Sequence, residues 1–245
     1  MPILADPAAA ELILADLRRE ARNAETVQEV CQRVMSGLVV RLPDSLQLAR
    51  AYLTVPAHYL PERDRAFAQQ IADNREAGHL LDDNTRVLSL LGTSGAEPHW
   101  CDRYSSRGHL AIPLLSPEFV AEIPMVAGLI DQLGSSLRWY GQMTGAASNK
   151  DPFGVFTGTF FVPEAAIGRD SAGRLLIPAR DFVAEYEIRS VFGVGGQFHA
   201  SGMMLICIFF SNRNLEETPN WLLRLPVMIA SISQELIAAG RIYHP

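Results

Sequence analysis

Residues 181–212 read DFVAEYEIRSVFGVGGQFHASGMMLICIFFSN, and this stretch decides the fold. Its pattern predicts the end of a helix, a glycine-punctuated strand over Ile188–Phe198, a tight turn and a very apolar strand over Met203–Phe210. A last amphipathic helix is predicted from about Glu216 to Arg241. A hairpin that leads into a C-terminal helix favours one sheet with helices on one face, in an α+β fold.

The composition is that of one mildly acidic globular chain. It has 245 residues, of which 48% are hydrophobic, and a net charge of -6, so it can bury a sizeable core in one large domain. Lys150 is the only lysine and no basic run occurs, so we expect no nucleic-acid binding. The three cysteines, Cys31, Cys101 and Cys207, are widely spaced and odd in number, which does not predict a disulfide framework.

The termini and apolar runs predict a cytoplasmic protein without membrane insertion. The N-terminal segment carries acidic residues before its arginines and has no basic leading region, which indicates an amphipathic helix rather than a signal peptide. No uninterrupted apolar run reaches the length of a membrane span, and MMLICIFF at 203–210 is too short.

The periodicity predicts two helices before the first strand. Apolar residues recur at helical spacing over Pro7–Arg22 and, more clearly, over Thr26–Leu42. The alternating stretch LQLARAYLTV (46–55) predicts the first strand. We divide the chain into an N-terminal helical extension, residues 1–23, and a domain, residues 24–245.

Five more elements are predicted between residues 59 and 162. They are a polar helix over Tyr59–Asn74, a short strand over Arg86–Leu91 that ends in a turn at Gly92–Gly95, a strand over His109–Leu114, a helix over Pro117–Leu133 with Ser116 as its N-cap, and a strand over Phe153–Val162.

The segment EPHWCDRYSSRG, Glu97–Gly108, is the first candidate for a functional site. It is polar, lacks any period and is rich in aromatic and ionisable side chains, as functional loops often are. We expect it to wall a ligand pocket between the sheet and residues 92–133. The alternative is a structural role, in which Trp100 packs over the sheet edge and Asp102 pairs with Arg103. The predicted ligand-binding residues are Trp100, Asp102, Arg103, Tyr104, His109, Phe156 and Phe160.

The glycine run at 193–196, GVGG, does not predict a nucleotide site. It lies in a strand and precedes another strand, whereas phosphate capture requires a helix N-terminus. A bulge or a close backbone contact is the simpler interpretation. The missing side chains leave room for a ligand, or for Phe156 and Phe160 of the facing strand.

Other side-chain groups carry weaker signals. His99, Cys101 and His109 could supply metal or haem ligands, but no second close Cys or His pair supports such a site. Asp181 and Glu185 share one solvated helix face, which argues against acid–base catalysis. The G-x-S-x-G nucleophile pattern is absent.

The order of elements resembles a GAF domain. The likeness spans about residues 24–240 and rests on AETVQEVCQRV (24–34), on LARAYLTV (48–55) and on the ending SGMMLICIFFSNRNLEETPNWLLRLPVMIASISQELI. The segments LLGTSGAEPHWCDRYSSRGHLAIPL and IRSVFGVGGQFHASGMML are also similar to sensor modules that precede bacterial histidine kinases.

This resemblance implies both a fold and a role. The fold is a central antiparallel sheet with flanking helices and long N- and C-terminal helices. The role is that of a non-enzymatic sensory or regulatory module in bacterial signal transduction, with a small-molecule ligand or a signalling protein as partner.

The sequence departs from the specialised GAF families, and two alternatives stay open. The Asn-Lys…Phe…Asp-Glu signature of cyclic-nucleotide binders is missing, and Cys101 is followed by Asp102 where bilin-attaching domains have histidine. A GAF-fold redox enzyme similar to methionine sulfoxide reductase would use Cys101. A haem or metal sensor would use His99, Cys101 or His109. The cofactor is therefore left open.

The apolar stripes of two helices indicate self-association. Those at 27–39 and 221–237 are wider than one sheet face requires. Helices of this kind can pair across a two-fold axis, so we expect a homodimer through the terminal helices.

Overall fold

The structure, a computed structural model, describes residues 7–106, 109–132, 157–197 and 202–244. Its centre is a six-stranded sheet with the order β3-β2-β1-β6-β5-β4, in which every neighbouring pair is antiparallel. The strands are β1 (Leu48–Pro56), β2 (Arg86–Gly95), β3 (Ala111–Pro113), β4 (Thr157–Val162), β5 (Ser190–Gln197) and β6 (Met204–Ser211). The predicted terminal hairpin is confirmed as β5 and β6.

Helices flank the sheet, so the predicted α+β class with a central antiparallel sheet is confirmed. Long helices stand at both ends of the chain, as predicted. The helices are α1 (Pro7–Ala21), α2 (Val27–Arg41), α3 (Glu62–Asp73), α4 (Pro117–Ala121), α5 (Pro124–Gln132), α6 (Arg180–Glu185) and α7 (Arg224–Ala238).

The sheet is buried on both faces. Because side chains alternate along a strand, each strand contributes to two separate hydrophobic clusters. One cluster lies under α1, α2 and α7, and we call this side the helix face. The other lies under α4, α5, α6 and the adjoining loops, and we call it the ligand face after the pocket that the sequence predicts on this side. The expectation of helices on one face therefore holds for the long helices only. The reason is visible in β6, whose eight residues are all buried.

The first helix packs into the helix-face cluster. Leu17 and Ala21 of α1 are fully buried, and α1 lies against α2 and α7. Arg41 of α2 bonds Glu20 of α1, and Arg224 of α7 bonds Glu11. The division between residues 1–23 and 24–245 stays a prediction.

The turn predicted at Gly92–Gly95 is wrong, because β2 continues through Gly95. Both glycines allow close packing on the strand. A Cβ at Gly92 would lie 2.5 Å from the backbone carbon of Cys31 in α2, and a Cβ at Gly95 would lie 2.6 Å from the Trp100 ring. A register shift beside Ala51 and Tyr52 marks a bulge opposite Gly92.

The helix predicted over Pro117–Leu133 is two helices within the described residues. Ser116 caps α4 as predicted, since its hydroxyl accepts from the Phe119 amide at 3.1 Å. Pro124 starts α5, because proline has no N–H for the helical ladder. Gly134, whose place after Leu133 predicts the C-cap of this helix, lies outside the described ranges.

The last helix begins later than predicted. A 3-10 turn over Asn220–Leu223 precedes α7, and Gly240 ends the helical region with a φ of 69°. The segment Asn220–Ala238 is long and apolar enough to cross a membrane by length and composition. Its residues Leu225, Ile229 and Leu236 pack in the helix-face cluster.

Candidate functional site

An arginine lies in the middle of the ligand face of the sheet. The strand register forms a row across five strands on this face: Thr93 of β2, Arg50 of β1, Ile208 of β6, Gly193 of β5 and Phe160 of β4. Arg50 has apolar neighbours on its own strand, Leu48 and Tyr52, which belong to the ligand-face cluster.

The guanidinium of Arg50 is only partly satisfied. Its Nε is buried and has no hydrogen-bond partner among the described residues. One terminal nitrogen, Nη1, lies 3.5 Å from the Tyr52 hydroxyl. No ion pair within the described ranges involves it. An arginine with a buried, unpaired N–H inside a sheet is costly, because buried charges are normally paired.

The neighbouring row lacks side chains at one end. It contains Leu90, Tyr52, Ile206, Gly195 and Gly158 in strand order. The two glycines lie opposite each other in β5 and β4, on the same face as Arg50. Between them, they remove two side chains from the ligand face.

Gly193 explains part of the glycine run. Strands β4, β5 and β6 keep a regular register through it, so no bulge is present. A Cβ at Gly193 would lie 2.8 Å from the Cys207 carbonyl oxygen and 3.7 Å from Phe160 Cβ. Of the two interpretations from the sequence, the close backbone contact is therefore correct, and Phe160 is fully buried beside it.

The predicted loop lies beside the Arg50 row. Trp100 is 9% exposed, and its carbonyl accepts a hydrogen bond from the Thr93 hydroxyl at 2.8 Å. Its ring packs edge-on against Phe182 and Tyr186 of the α6 region. Trp100 therefore covers the β2 side of the ligand face, and its role as a pocket wall stays a prediction.

Arg103 is bound to a residue that the sequence reading missed. Asp64 of α3 is fully buried and forms a bidentate ion pair with Arg103, with Nη1 at 3.2 Å from Oδ1 and Nη2 on Oδ2. Arg103 Nε also donates to the Leu90 carbonyl at 2.6 Å. The predicted pairing of Asp102 with Arg103 is wrong. A buried arginine satisfied in this way anchors the loop rather than offering itself to a ligand.

The other predicted residues are dispersed. Asp102 is exposed and its carboxylate accepts from the Tyr104 amide and the Ser105 hydroxyl. Tyr104 is half-buried under Arg63, whose Cζ lies 4.3 Å from the ring centroid. His109 is half-buried next to β3, and Phe156 lies outside the described residues. Of the predicted set, the structure brings only Trp100 and Phe160 onto the ligand face.

The cysteines show no redox arrangement. Cys101 is exposed, and its Sγ contacts the Ser94 hydroxyl at 3.8 Å and the carbonyls of Gly95 and Glu97. Cys31 and Cys207 are buried on the helix face; burial raises the pKa of Cys31 well above its usual value and that of Cys207 to about 12. Within the described ranges, no group of His, Cys, Asp or Glu is placed to hold a metal ion.

An open cleft of about 940 Å³ lies elsewhere, at the ends of β4 and β5. Its floor is formed by buried apolar residues such as Ile177 and Ile188. Two arginines, Arg180 and Arg189, and two glutamates, Glu164 and Glu187, stand at its exposed rim, so their charges balance. None of the predicted ligand-binding residues lines it.

One feature of the sequence points to Arg50. The stretch LARAYLTV predicts a strand, and Arg50 is the one charged residue within its apolar alternation. A charge on the buried face of a central strand is rare and marks either a structural ion pair or a binding site. Asp64 gave no comparable signal, because it stands among the charged residues of ERDRAFAQQ.

Similarity to known proteins is found among solved structures. No protein-family model and no curated protein matches this chain. Among solved structures, the chain is similar to JSC1_58120g3, solved in its far-red absorbing dark state with bound biliverdin IXa. The identity is 9% over 92% of this chain and 99% of that chain, with a TM-score of 0.46. It is also similar to the GAF domain of an Acinetobacter phosphoenolpyruvate-protein phosphotransferase, at 12% identity over 95% and 98%, with a TM-score of 0.45.

A third similar structure is the phycoerythrobilin-bound GAF domain of a cyanobacterial phytochrome, at 11% identity over 94% of this chain and 95% of that chain, with a TM-score of 0.43. Two of these three structures are GAF domains, and two contain a bound chromophore. The chromophores are properties of those proteins, and likenesses with TM-scores below 0.5 carry no argument about this chain.

Proposed function

We propose that this chain is a non-enzymatic, GAF-like sensory or regulatory module that binds a small anionic ligand on the ligand face of its sheet. The observation that supports the proposal is Arg50 of a central strand, whose buried Nε has no hydrogen-bond partner and which forms no ion pair among the described residues. A carboxylate or phosphate would complete its hydrogen bonds, because the planar guanidinium fork matches both groups.

The surroundings suit a ligand that is apolar apart from its acid group. Tyr52 offers a hydroxyl beside Arg50, and Trp100 offers a flat apolar wall. The pair Gly158 and Gly195 presents no side chains on the next row of the sheet. A mostly apolar surface with a few convergent polar groups is typical of small-molecule sites.

The test is a thermal-shift screen of the full chain against nucleotides, 2-oxo acids and haem, all of which carry phosphate or carboxylate groups. A compound that stabilises the wild type should lose at least tenfold in affinity with Arg50→Ala. Arg50→Lys should recover only part, because the ammonium lacks the fork. Arg189→Ala, at the open cleft, is the matched control and should bind like the wild type. Retained affinity in Arg50→Ala would refute the site.

The second part of the proposal is that the signal of ligand binding leaves the module through the terminal helices. Helices α1, α2 and α7 pack on one another, and they leave Leu12 70% and Val227 49% exposed. We infer that a second copy covers these side chains, in a cytoplasmic homodimer. A charge at the centre of this interface should dissociate the dimer. If Val227 lies at that centre, light scattering should show a monomer for Val227→Asp and a dimer for the control Ser231→Asp. A wild type that is monomeric at all concentrations would contradict the dimer without affecting the ligand site.

A ligand can transmit a signal only if it binds two arrangements of these helices with different affinity. A cytoplasmic module of this kind would transmit the change in helix arrangement to a signalling protein that binds it. The structure offers no specific observation in favour of the redox or haem alternatives.

A further inference from the structure

Cations and aromatic rings alternate from α3 through the 97–106 loop to the C-terminal tail. Arg63 Cζ lies 4.3 Å from the centroid of the Tyr104 ring, and Arg103 Cζ lies 4.8 Å from the same centroid. Arg103 Cζ also lies 5.5 Å from the Tyr243 ring. Each distance is within the range of a cation–π interaction, which is strongest where water is excluded.

The tail that carries Tyr243 is docked on the start of α2. The Val27 amide donates to the Arg241 carbonyl at 3.1 Å, and the Gln28 amide donates to the Ile242 carbonyl at 2.9 Å. These are among the first N–H groups of α2, which have no partner within the helix. Ile242 is 1% exposed. The tail thus caps α2 while its tyrosine ring reaches Arg103.

The Tyr243 hydroxyl is itself buried and lacks a well-formed hydrogen bond among the described residues. Burial raises the pKa of this phenol well above its usual value, and the carboxylate of Asp64 acts in the same direction. The ring, rather than the hydroxyl, is therefore the part of Tyr243 that makes the favourable contact.

Arg103 can hold the Tyr104 and Tyr243 rings in place because its own side chain has little conformational freedom. Asp64 and the Leu90 carbonyl hold its guanidinium from two sides, and the side chain is 4% exposed. Trp100, three residues earlier in the same loop, belongs to the ligand-face cluster. The loop therefore touches the ligand face through Trp100 and the C-terminal tail through Arg103.

We propose that the stack of Arg63, Tyr104, Arg103 and Tyr243 is a latch that makes the 97–106 loop and the C-terminal tail one cooperative unit. Loosening of the loop releases the tail from α2, and release of the tail loosens the loop, because coupling between two sites is reciprocal. The latch depends on no ligand. If the proposed function holds, it also links the ligand face to the chain beyond α7.

Hydrogen exchange of the full chain, followed by mass spectrometry, tests the latch without a ligand. In Tyr243→Ala, amides of residues 100–106 and of residues 27–28 should both exchange roughly tenfold faster, as expected for loss of a desolvated cation–π contact. Both regions contain hydrogen-bonded amides. In the loop, Trp100 donates to the Glu97 carbonyl and Ser105 to that of Asp102, and at the start of α2 Val27 and Gln28 donate to the tail. Amides of β6 should stay unchanged.

Tyr243→Phe is the matched control, because it keeps the ring and removes only the poorly bonded hydroxyl. It should exchange no faster than the wild type in both regions, because it removes only a buried hydroxyl that has no hydrogen-bond partner among the described residues. Tyr104→Leu is the reciprocal variant and should speed exchange at residues 27–28, even if Tyr243→Ala proves too unstable to measure. The latch is refuted if each variant affects only its own region, or if Tyr243→Phe behaves like Tyr243→Ala.

Discussion

Replacing Arg50 and Arg103 by methionine should change the stability of the free protein in opposite directions. Arg50 lies on β1 and Arg103 in the 97–106 loop, and methionine fills the space of the apolar stem at both positions. They differ in their partners. Arg50 has a buried Nε with no partner among the described residues, whereas Arg103 is bonded to Asp64 and to the Leu90 carbonyl.

The magnitudes follow from these partners. Removing a buried, unsatisfied donor recovers about 1–3 kcal/mol of desolvation free energy, reduced here because Arg50 is only half-buried. Removing Arg103 leaves the Asp64 carboxylate buried without a counter-charge, which costs about 3–5 kcal/mol. For a chain of this size, each kcal/mol shifts the unfolding midpoint by about 2–4 °C. We expect Arg50→Met to raise Tm by up to ~5 °C and Arg103→Met to lower it by at least ~6 °C.

Thermal and urea denaturation of the two variants and the wild type measure these changes. The exposed pair Arg65 and Asp83, with side chains 44% and 68% exposed, supplies the control. Asp83→Ala should change the free energy of unfolding by less than about 1 kcal/mol. A loss of more than about 1 kcal/mol in Arg50→Met would show that its guanidinium has a structural partner. That result would refute the reasoning behind the ligand site.

Three further predictions concern the helix face. A thiol reagent at pH 8 should modify Cys101 alone in the native protein and all three cysteines after unfolding, because Cys31 and Cys207 are buried; fast modification of a second thiol in the native state would contradict this. The free energy of unfolding should fall as pH rises above about 9, by up to ~1.4 kcal/mol per pH unit for each buried thiol, because the folded state keeps protons that the unfolded chain releases. In urea titrations, Cys207→Ala should show a smaller fall than the wild type. An equal fall in both proteins would contradict a raised pKa of the Cys207 thiol. Gly92→Ala should cost about 1–3 kcal/mol in the same titrations, because its Cβ would lie 2.5 Å from the Cys31 backbone; a neutral result would mean that α2 is not seated on β2 as described.

Much of the fold could be predicted from hydrophobic periodicity. The hairpin, the first strand and the helix pair at the N-terminus all follow from it, and they appear as β5–β6, β1 and α1–α2. The errors arise where local signals conflict with packing. Gly92 and Gly95 read as a turn, but their missing side chains let α2 and Trp100 approach a continuous strand. The pattern over Pro117–Leu133 predicts one helix, yet a second helix starts at Pro124.

The site was harder to predict, because its residues come from strands that are distant in sequence. Trp100 was found from its unusual loop, and Phe160 from the strand opposite the glycines. Asp64 could not be found, since nothing in ERDRAFAQQ distinguishes a buried carboxylate from a solvated one. Only the register of β1 between β2 and β6 shows that Arg50 stands in the centre of the covered face.

The most direct test of the ligand site is the side-chain Nε–Hε signal of Arg50 in a nitrogen–proton NMR spectrum. It would be followed while the strongest compound from the thermal-shift screen is titrated into the full chain. The Arg50 signal, assigned by its loss in Arg50→Lys, should shift saturably, while the signals of Arg180 and Arg189 at the open cleft stay in place. Saturable shifts of Arg180 and Arg189 with an unchanged Arg50 signal would contradict the proposed site.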